Sequence, residues 1–124
     1  MRVALVTGSR ERGGPQDNKA VCTALLKFKP GMVLHGGARG IDTLAGRWAE
    51  RNGVLCLVLP ALWDKEGRAA AGPLRNQRMV EIAATLQHHG HRVHVFAFPS
   101  SEGRGTQDCM RRATEAGLVV LAWE

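Results

Sequence analysis

Five short apolar runs, the first four each followed by a glycine or proline and then by a helical pattern, leave this chain little choice of architecture. Arg2 to Thr7 is nearly continuous in apolar residues and stops at Gly8, the pattern of a strand buried on both faces. Met32 to His35, Val54 to Leu59, Val93 to Phe98 and Leu118 to Trp123 read as the other strands. Asp17 is placed to cap a helix with Ala20, Val21, Ala24, Leu25 and Phe28 on one stripe, ended by Pro30-Gly31. A second helix carries Leu44, Ala45 and Trp48 and stops at Asn52-Gly53. A longer loop from Pro60 to Gly72 holds Trp63, and Pro73 is expected to start the next helix, where its missing N–H costs nothing. That helix runs to about His88, with Gly90 as its left-handed cap, and a last helix runs from Thr106 to Ala116 with Gly117 beyond it. Strands alternating with helices need right-handed crossovers and therefore a parallel sheet. The expectation is a single α/β, Rossmann-like three-layer domain over residues 1–124, with a five-stranded parallel sheet and helices on both faces.

A chain of 124 residues, 44% of them hydrophobic, can bury one such core. No apolar run approaches membrane-spanning length and the opening strand is too short for a secretory leader, so no membrane partner is expected. Cys22, Cys56 and Cys109 are odd in number and lack metal-type spacing, which points to reduced thiols and a cytoplasmic location. The net charge of +6 favours an anionic ligand or a polyanionic partner, although Lys and Arg are scattered rather than clustered. The absence of tyrosine removes the commonest stacking residue from any nucleic-acid argument.

In open parallel sheets the ligand sits beyond the carboxyl ends of the strands. Three Gly-rich turns fall on that edge: Gly8-Ser9-Arg10, Gly36-Gly37-Ala38-Arg39-Gly40-Ile41-Asp42, and Gly103-Arg104-Gly105-Thr106. Helix N-termini with bare amides bind anions, phosphate above all. Gly36 and Gly37 let an anion approach the main chain, Arg39 offers a charged fork, and Asp42 can cap its helix or accept from ribose hydroxyls. Thr106 can cap the last helix or give its hydroxyl to phosphate. No G-x-G-x-x-G follows the first strand, so the dinucleotide fingerprint is missing. Arg75 and Asn76 are expected in the first turn of a helix, where a cation opposes the dipole, and that cost points to binding of phosphate or carboxylate. Trp63 either stacks on a base or anchors its loop, while Trp48, Trp123 and Cys109 read as packing residues. His88, His89, His91 and His94 straddle a helix end and a strand start, so their side chains diverge and no metal is expected. His35 directly precedes Gly36 at the same edge. Neither a nucleophile–base pair nor paired carboxylates stand out, so the residues argue for binding rather than catalysis, with no cofactor.

Taken together these motifs resemble the SLOG superfamily, the Smf/DprA–LOG group of Rossmann-like nucleotide-binding proteins, and within it the small YspA-like branch. The resemblance rests on Gly8-Ser9-Arg10, on Gly36 to Asp42 with Leu44 and Ala45, and on Pro60-Ala61 with Trp63. It continues through Ala71-Gly72-Pro73 with Arg75-Asn76 and Met79, then Phe98-Pro99 and Gly103-x-Gly105-Thr106, nearly the whole chain. It implies a domain that binds a nucleotide-type small molecule, a nucleoside monophosphate or an ADP-ribose-like compound, as a sensor. Two other activities stay open. LOG-type relatives are nucleoside 5′-monophosphate phosphoribohydrolases with the pattern P-G-G-x-G-T-x-x-E; here Arg75 and Met79 match their arginine segment. Ser100 and Ser101 replace the two glycines, and Cys109 stands at the catalytic glutamate, with Asp108 one position early. The DNA-processing branch binds single-stranded DNA and shares the Ala38 to Asp42 turn and the Arg75-Asn76 pair. The resemblance also implies a homodimer.

Overall fold

The computed structural model describes Met1–Glu124. Its elements alternate as the periodicity requires: β1 (Arg2–Gly8), α1 (Pro15–Phe28), β2 (Met32–His35), α2 (Ile41–Arg51), β3 (Leu55–Val58), α3 (Trp63–His88), β4 (Arg92–Phe98), α4 (Arg104–Glu115) and β5 (Val119–Ala122). All four strand pairings are parallel, and the sheet order is β3-β2-β1-β4-β5. The order reverses between β1 and β4, which opens a crevice at their carboxyl ends.

Alternation along the central strands divides the interior into two cores. Ala4 and Val6 of β1 and Phe96 and Phe98 of β4 face α1 and α2, where Val21, Leu25, Ile41 and Trp48 close over them. Val3, Leu5 and Val95 face the opposite way onto Met79, Val80, Cys109 and Ala113 of α3 and α4. Each fully buried Val or Leu stabilises the fold by about 1.5–3 kcal/mol. β3 is different: every residue of it is exposed, Leu55 by 61% and Val58 by 45%, so it forms a bare edge.

Three helix starts differ from the sequence expectation. In α1, Gly14 is the N-cap and Pro15 opens the helix, so Asp17 lies inside the first turn. Its carboxylate takes Arg12 Nη2 at 2.8 Å and the Gly13 amide at 3.0 Å instead of capping. α3 begins ten residues before Pro73, at Trp63, bends at Gly67 (φ 81°), and continues through the Arg68 to Ala71 stretch with Pro73 inside it. The high helix propensity of three consecutive alanines carries the helix across Gly72-Pro73. Arg75 and Asn76 are therefore well inside a helix, and the dipole argument for Arg75 fails. In α4 the N-cap is Gly103 rather than Thr106, which is the third helical residue and is buried.

Candidate functional site

The ends of β1 and β4 are tied together by the Ser9 amide, which donates to Phe98 O at 3.0 Å. Above this junction lies a cavity of about 900 Å³, walled by the turn after β1, the first half of α3, and the Ser100 to Thr106 rim. It lies at the reversal of strand order, the place the topology dictates. Gly8, Ser9, Arg10, Ala38, Asp42, Trp63, Arg75, Asn76, Gly103, Gly105 and Thr106 all reach it.

Gly36, Gly37, Arg39 and Gly40 do not reach it. Their loop is closed on itself. Asp42 Oδ2 accepts the amides of Gly36 and Ala38, each at 3.2 Å, and His35 Nδ1 accepts the Gly37 amide at 3.0 Å. The amides read as an anion cradle are thus spent inside the protein. Asp42 braces the loop, and its own helix keeps Gly40 as an N-cap without a side-chain bond. Gly40 has φ 81°, and a methyl group there would stand 2.5 Å from Arg12 O and 2.6 Å from Ser9 O, so only glycine lets the two loops touch. Arg39 points to solvent and pairs with Glu11 at 3.1 Å, with both side chains 73% exposed.

Arg75 is a brace as well as a wall. Its Nη1 donates to Gly36 O at 2.7 Å and its Nε to Asn76 Oδ1 at 3.0 Å, binding α3 to the loop after β2. A methyl group on Gly36 would overlap this guanidinium. Asn76 is buried and passes the connection on, donating to Gly105 O at 3.1 Å and to Asp108 Oδ2 at 3.0 Å.

Three features of the cavity lack a partner within the chain. The first is the start of α4, where Gly103 donates to Ser100 Oγ at 3.2 Å but the amides of Arg104, Gly105 and Thr106 have no acceptor in the chain. The second is a set of cations, Arg10, Arg68 and Arg104, none of which is in an ion pair. Arg10 lies over Trp63, 5.4 Å from the ring centroid, so the indole lies at the cavity wall, 42% exposed, at the head of α3 rather than in a loop. The third is Asp42 Oδ1, buried and without a partner. Burial pushes the Asp42 carboxyl up to about 6, against the pull of the Ala38 amide, Arg75, the Gly36 amide and Arg10.

Other residues resolve more simply. Asp108 lines the cavity but is held by Asn76, Arg111 and Arg112, and those contacts outweigh its burial to keep its carboxyl below the usual range. Cys109 is fully buried, and burial pushes its thiol up to about 11. His35 is buried beneath the loop, and burial, with Arg75 nearby, lowers its pKa. Nowhere do three His, Cys, Asp or Glu side chains converge as metal ligands would.

Residues 1–65 match the model of YAcAr, the YspA, cpYpsA-related SLOG family. The chain belongs to that family. Along its whole length this SLOG chain is similar to the Gene 61 protein of Mycobacterium phage D29, 38% identical over 130 residues that span 98% of the chain and 95% of the phage protein. Its fold is shared with the X-ray structure of DNA processing protein A (DprA) from Streptococcus pneumoniae, at a TM-score of 0.57 and 19% identity. That match covers 98% of the SLOG chain but 58% of the DprA chain, so the chain spans little more than half of that neighbour.

Sequence reasoning missed the residues that shape the SLOG cavity without motif signals. Arg68 reads as an ordinary loop cation, and Arg12 reads as nothing at all. Yet Arg12 Nη1 donates to Pro99 O at 2.9 Å and Trp123 O at 2.6 Å, fixing the loop after β4 and the end of the chain to the turn after β1. The one available signal for Arg12 was its spacing of five from Asp17, which accepts its Nε at 3.1 Å.

Proposed function

We propose that the cavity binds a nucleotide or nucleotide-derived ligand, with a phosphate group held at the start of α4. The observation that carries this reading is the set of three unsatisfied amides of Arg104, Gly105 and Thr106, opening into a cavity with unpaired arginines. A helix N-terminus concentrates about half a positive charge and offers N–H donors already aimed at the ligand. Arg10 and Arg68 would add charge-assisted contacts, Trp63 an apolar face, and Asp42 Oδ1 an acceptor for a ribose hydroxyl. Ser9 contributes its hydroxyl. Membership of the SLOG family and the fold shared with DprA support a nucleotide- or nucleic-acid-linked function in general.

The test is titration with AMP, ADP-ribose, NAD and cyclic dinucleotides in phosphate-free buffer, on wild type and two variants. Arg104→Gln removes charge alone. Arg104→Pro also removes one amide, at the first helical position that proline favours, after a Gly103 already extended (φ −85°, ψ 125°). Arg104→Pro should weaken a phosphorylated ligand at least tenfold, or about 1.4 kcal/mol, and more than Arg104→Gln does. Unchanged affinity in both would remove the phosphate assignment.

Asp42 favours one second reading, phosphoribohydrolysis. A carboxyl near pH 6 with a free oxygen in a cavity has the protonation range of a general acid or base. Free base released from AMP by wild type and not by Asp42→Asn would establish it.

The remaining parts of the reading are cellular. Three free cysteines support a reducing, cytoplasmic setting. No helix is long and apolar enough to cross a membrane. Exposed Leu55, Leu57, Val58 and Leu62 at the β3 edge support a homodimer.

A further inference from the structure

A second concave surface lies away from the cavity. On the face of the sheet that carries α1 and α2, Val119 and Leu121 of β5 are 46% and 38% exposed, while α4 packs on that strand from the other face. A groove of about 570 Å³ lies between the end of α1 and β4–β5. Register puts His94 beside Val119 and Phe96 beside Leu121, so β4 and β5 present one continuous apolar surface there. Its floor is aromatic. Phe28 stacks on His94 with ring centroids 4.6 Å apart and 19° between planes, and Phe96 stacks on Trp123 at 5.8 Å and 19°. Phe96 is buried, whereas Phe28, His94 and Trp123, the last also stacked on Phe98 at 5.0 Å, are half-buried.

The rim is as distinctive as the floor. Arg2, Lys27, Lys29 and Arg92 border the groove, none is in an ion pair, and no carboxylate lines it. Burial and Arg92 lower the pKa of His94, which leaves it a neutral stacking ring at pH 7.5. Of the rim cations only Arg2 is tied to the fold by a side-chain hydrogen bond, its Nε donating to Lys29 O at 3.0 Å; none is neutralised. A second copy of the chain docked by this face would bring the four cations against their own kind. An acidic peptide would satisfy the rim but leave the rings unused. Single-stranded nucleic acid satisfies both, because every base offers a π-face and every phosphate a charge.

We propose that the groove between the end of α1 and β4–β5 binds single-stranded nucleic acid, with bases on Phe28, His94 and Trp123 and phosphates along Arg2, Lys27, Lys29 and Arg92. The proposal is independent of the nucleotide cavity, which lies at the carboxyl ends of β1 and β4 and shares no residue with the groove.

The experiment is fluorescence anisotropy of a labelled dT12 oligonucleotide between about 20 and 200 mM salt. It is run on the Trp63→Phe protein, in which Trp48 is buried and quenching reports Trp123. Four phosphate contacts predict a slope of log K against log salt of about −3. Lys27→Gln/Lys29→Asn changes two exposed residues at the end of α1, and asparagine suits the left-handed conformation at position 29 (φ 56°). That variant should bind about tenfold more weakly, with the slope reduced by about 1.4. Binding should quench Trp123, and a 12-base-pair duplex should bind at least tenfold more weakly. Undetectable binding at 20 mM salt, equal affinity for duplex, or displacement by poly-glutamate at matched charge would each overturn the proposal. So would an oligonucleotide affinity that is lost in Arg104→Pro and untouched by the lysine changes, since the strand would then lie over α4.

Discussion

Replacing Asp42 by asparagine tests the reading of the site and of its energetics together. Oδ2 already accepts two amides, from Gly36 and Ala38, and an asparagine carbonyl oxygen can take the same two. Its NH2 would occupy the place of Oδ1, which has no partner to lose. The loop geometry should survive, and what changes is the charge. With the folded pKa at about 6 against an ordinary 3.8, the folded protein holds this proton more tightly than the unfolded chain. A carboxyl raised in this way adds most relative stability below pH 4 and loses it as pH climbs through 6. The full loss is about 3 kcal/mol, and about 2 kcal/mol of it falls between pH 4.5 and 7.5. Urea unfolding of both proteins at four pH values gives the difference between them, in which all other titrating groups cancel. Asp42→Asn should gain about 2 kcal/mol on wild type between pH 4.5 and 7.5, whatever its offset at the acid end. A difference that stays flat with pH would mean that Asp42 is not held near pH 6, and the argument from its buried, unpartnered oxygen would fall with it.

Two substitutions and one labelling experiment probe the framework around the site. Gly40→Ala would force a methyl group against Arg12 O and Ser9 O at a φ of 81°, so it should lower stability by roughly 3 kcal/mol in the same urea assay. Arg12→Ala removes the donors from Pro99 O and Trp123 O; we expect a loss of about 3 kcal/mol and faster hydrogen exchange in β5 than in β1, and equal rates would refute the clasp. Ellman's reagent should label exposed Cys56 and half-buried Cys22 in the native protein but reach Cys109 only at the unfolding rate, and prompt labelling of all three would contradict its burial.

Much of the fold could be read from the chain because β1 and β4 are apolar runs ended by glycine or proline, and such runs in alternation with helices admit one topology. The start of α3 could not, because Gly72-Pro73 imitates a helix start while the true break, Gly67, sits in a polar stretch that looks like loop. The site was half legible. Gly103, Gly105 and Thr106 lie where their motif implies, because a glycine turn after a buried strand must open the next helix at the sheet edge. The loop from Gly36 to Gly40 misled, because sequence reveals that amides are bare of side chains but not which acceptor they find. That acceptor, Asp42 Oδ2, stands only a few residues away in the chain, reached by a turn whose direction spacing alone does not give.

The internal bonding of that loop bears on how the proposed ligand would be met. A loop whose amides are already satisfied by Asp42 and His35 keeps its shape when nothing is bound, and so holds Ala38 and Asp42 in place at the cavity wall. The rim from Ser100 to Arg104, short and polar, is held by one hydrogen bond within itself, from the Gly103 amide to Ser100 Oγ. Such a division of labour is preorganisation on one side and adaptability on the other. A lineage could exchange one ligand for another by rewriting a handful of rim positions, while the brace beneath them, and the stability it carries, stays as it is.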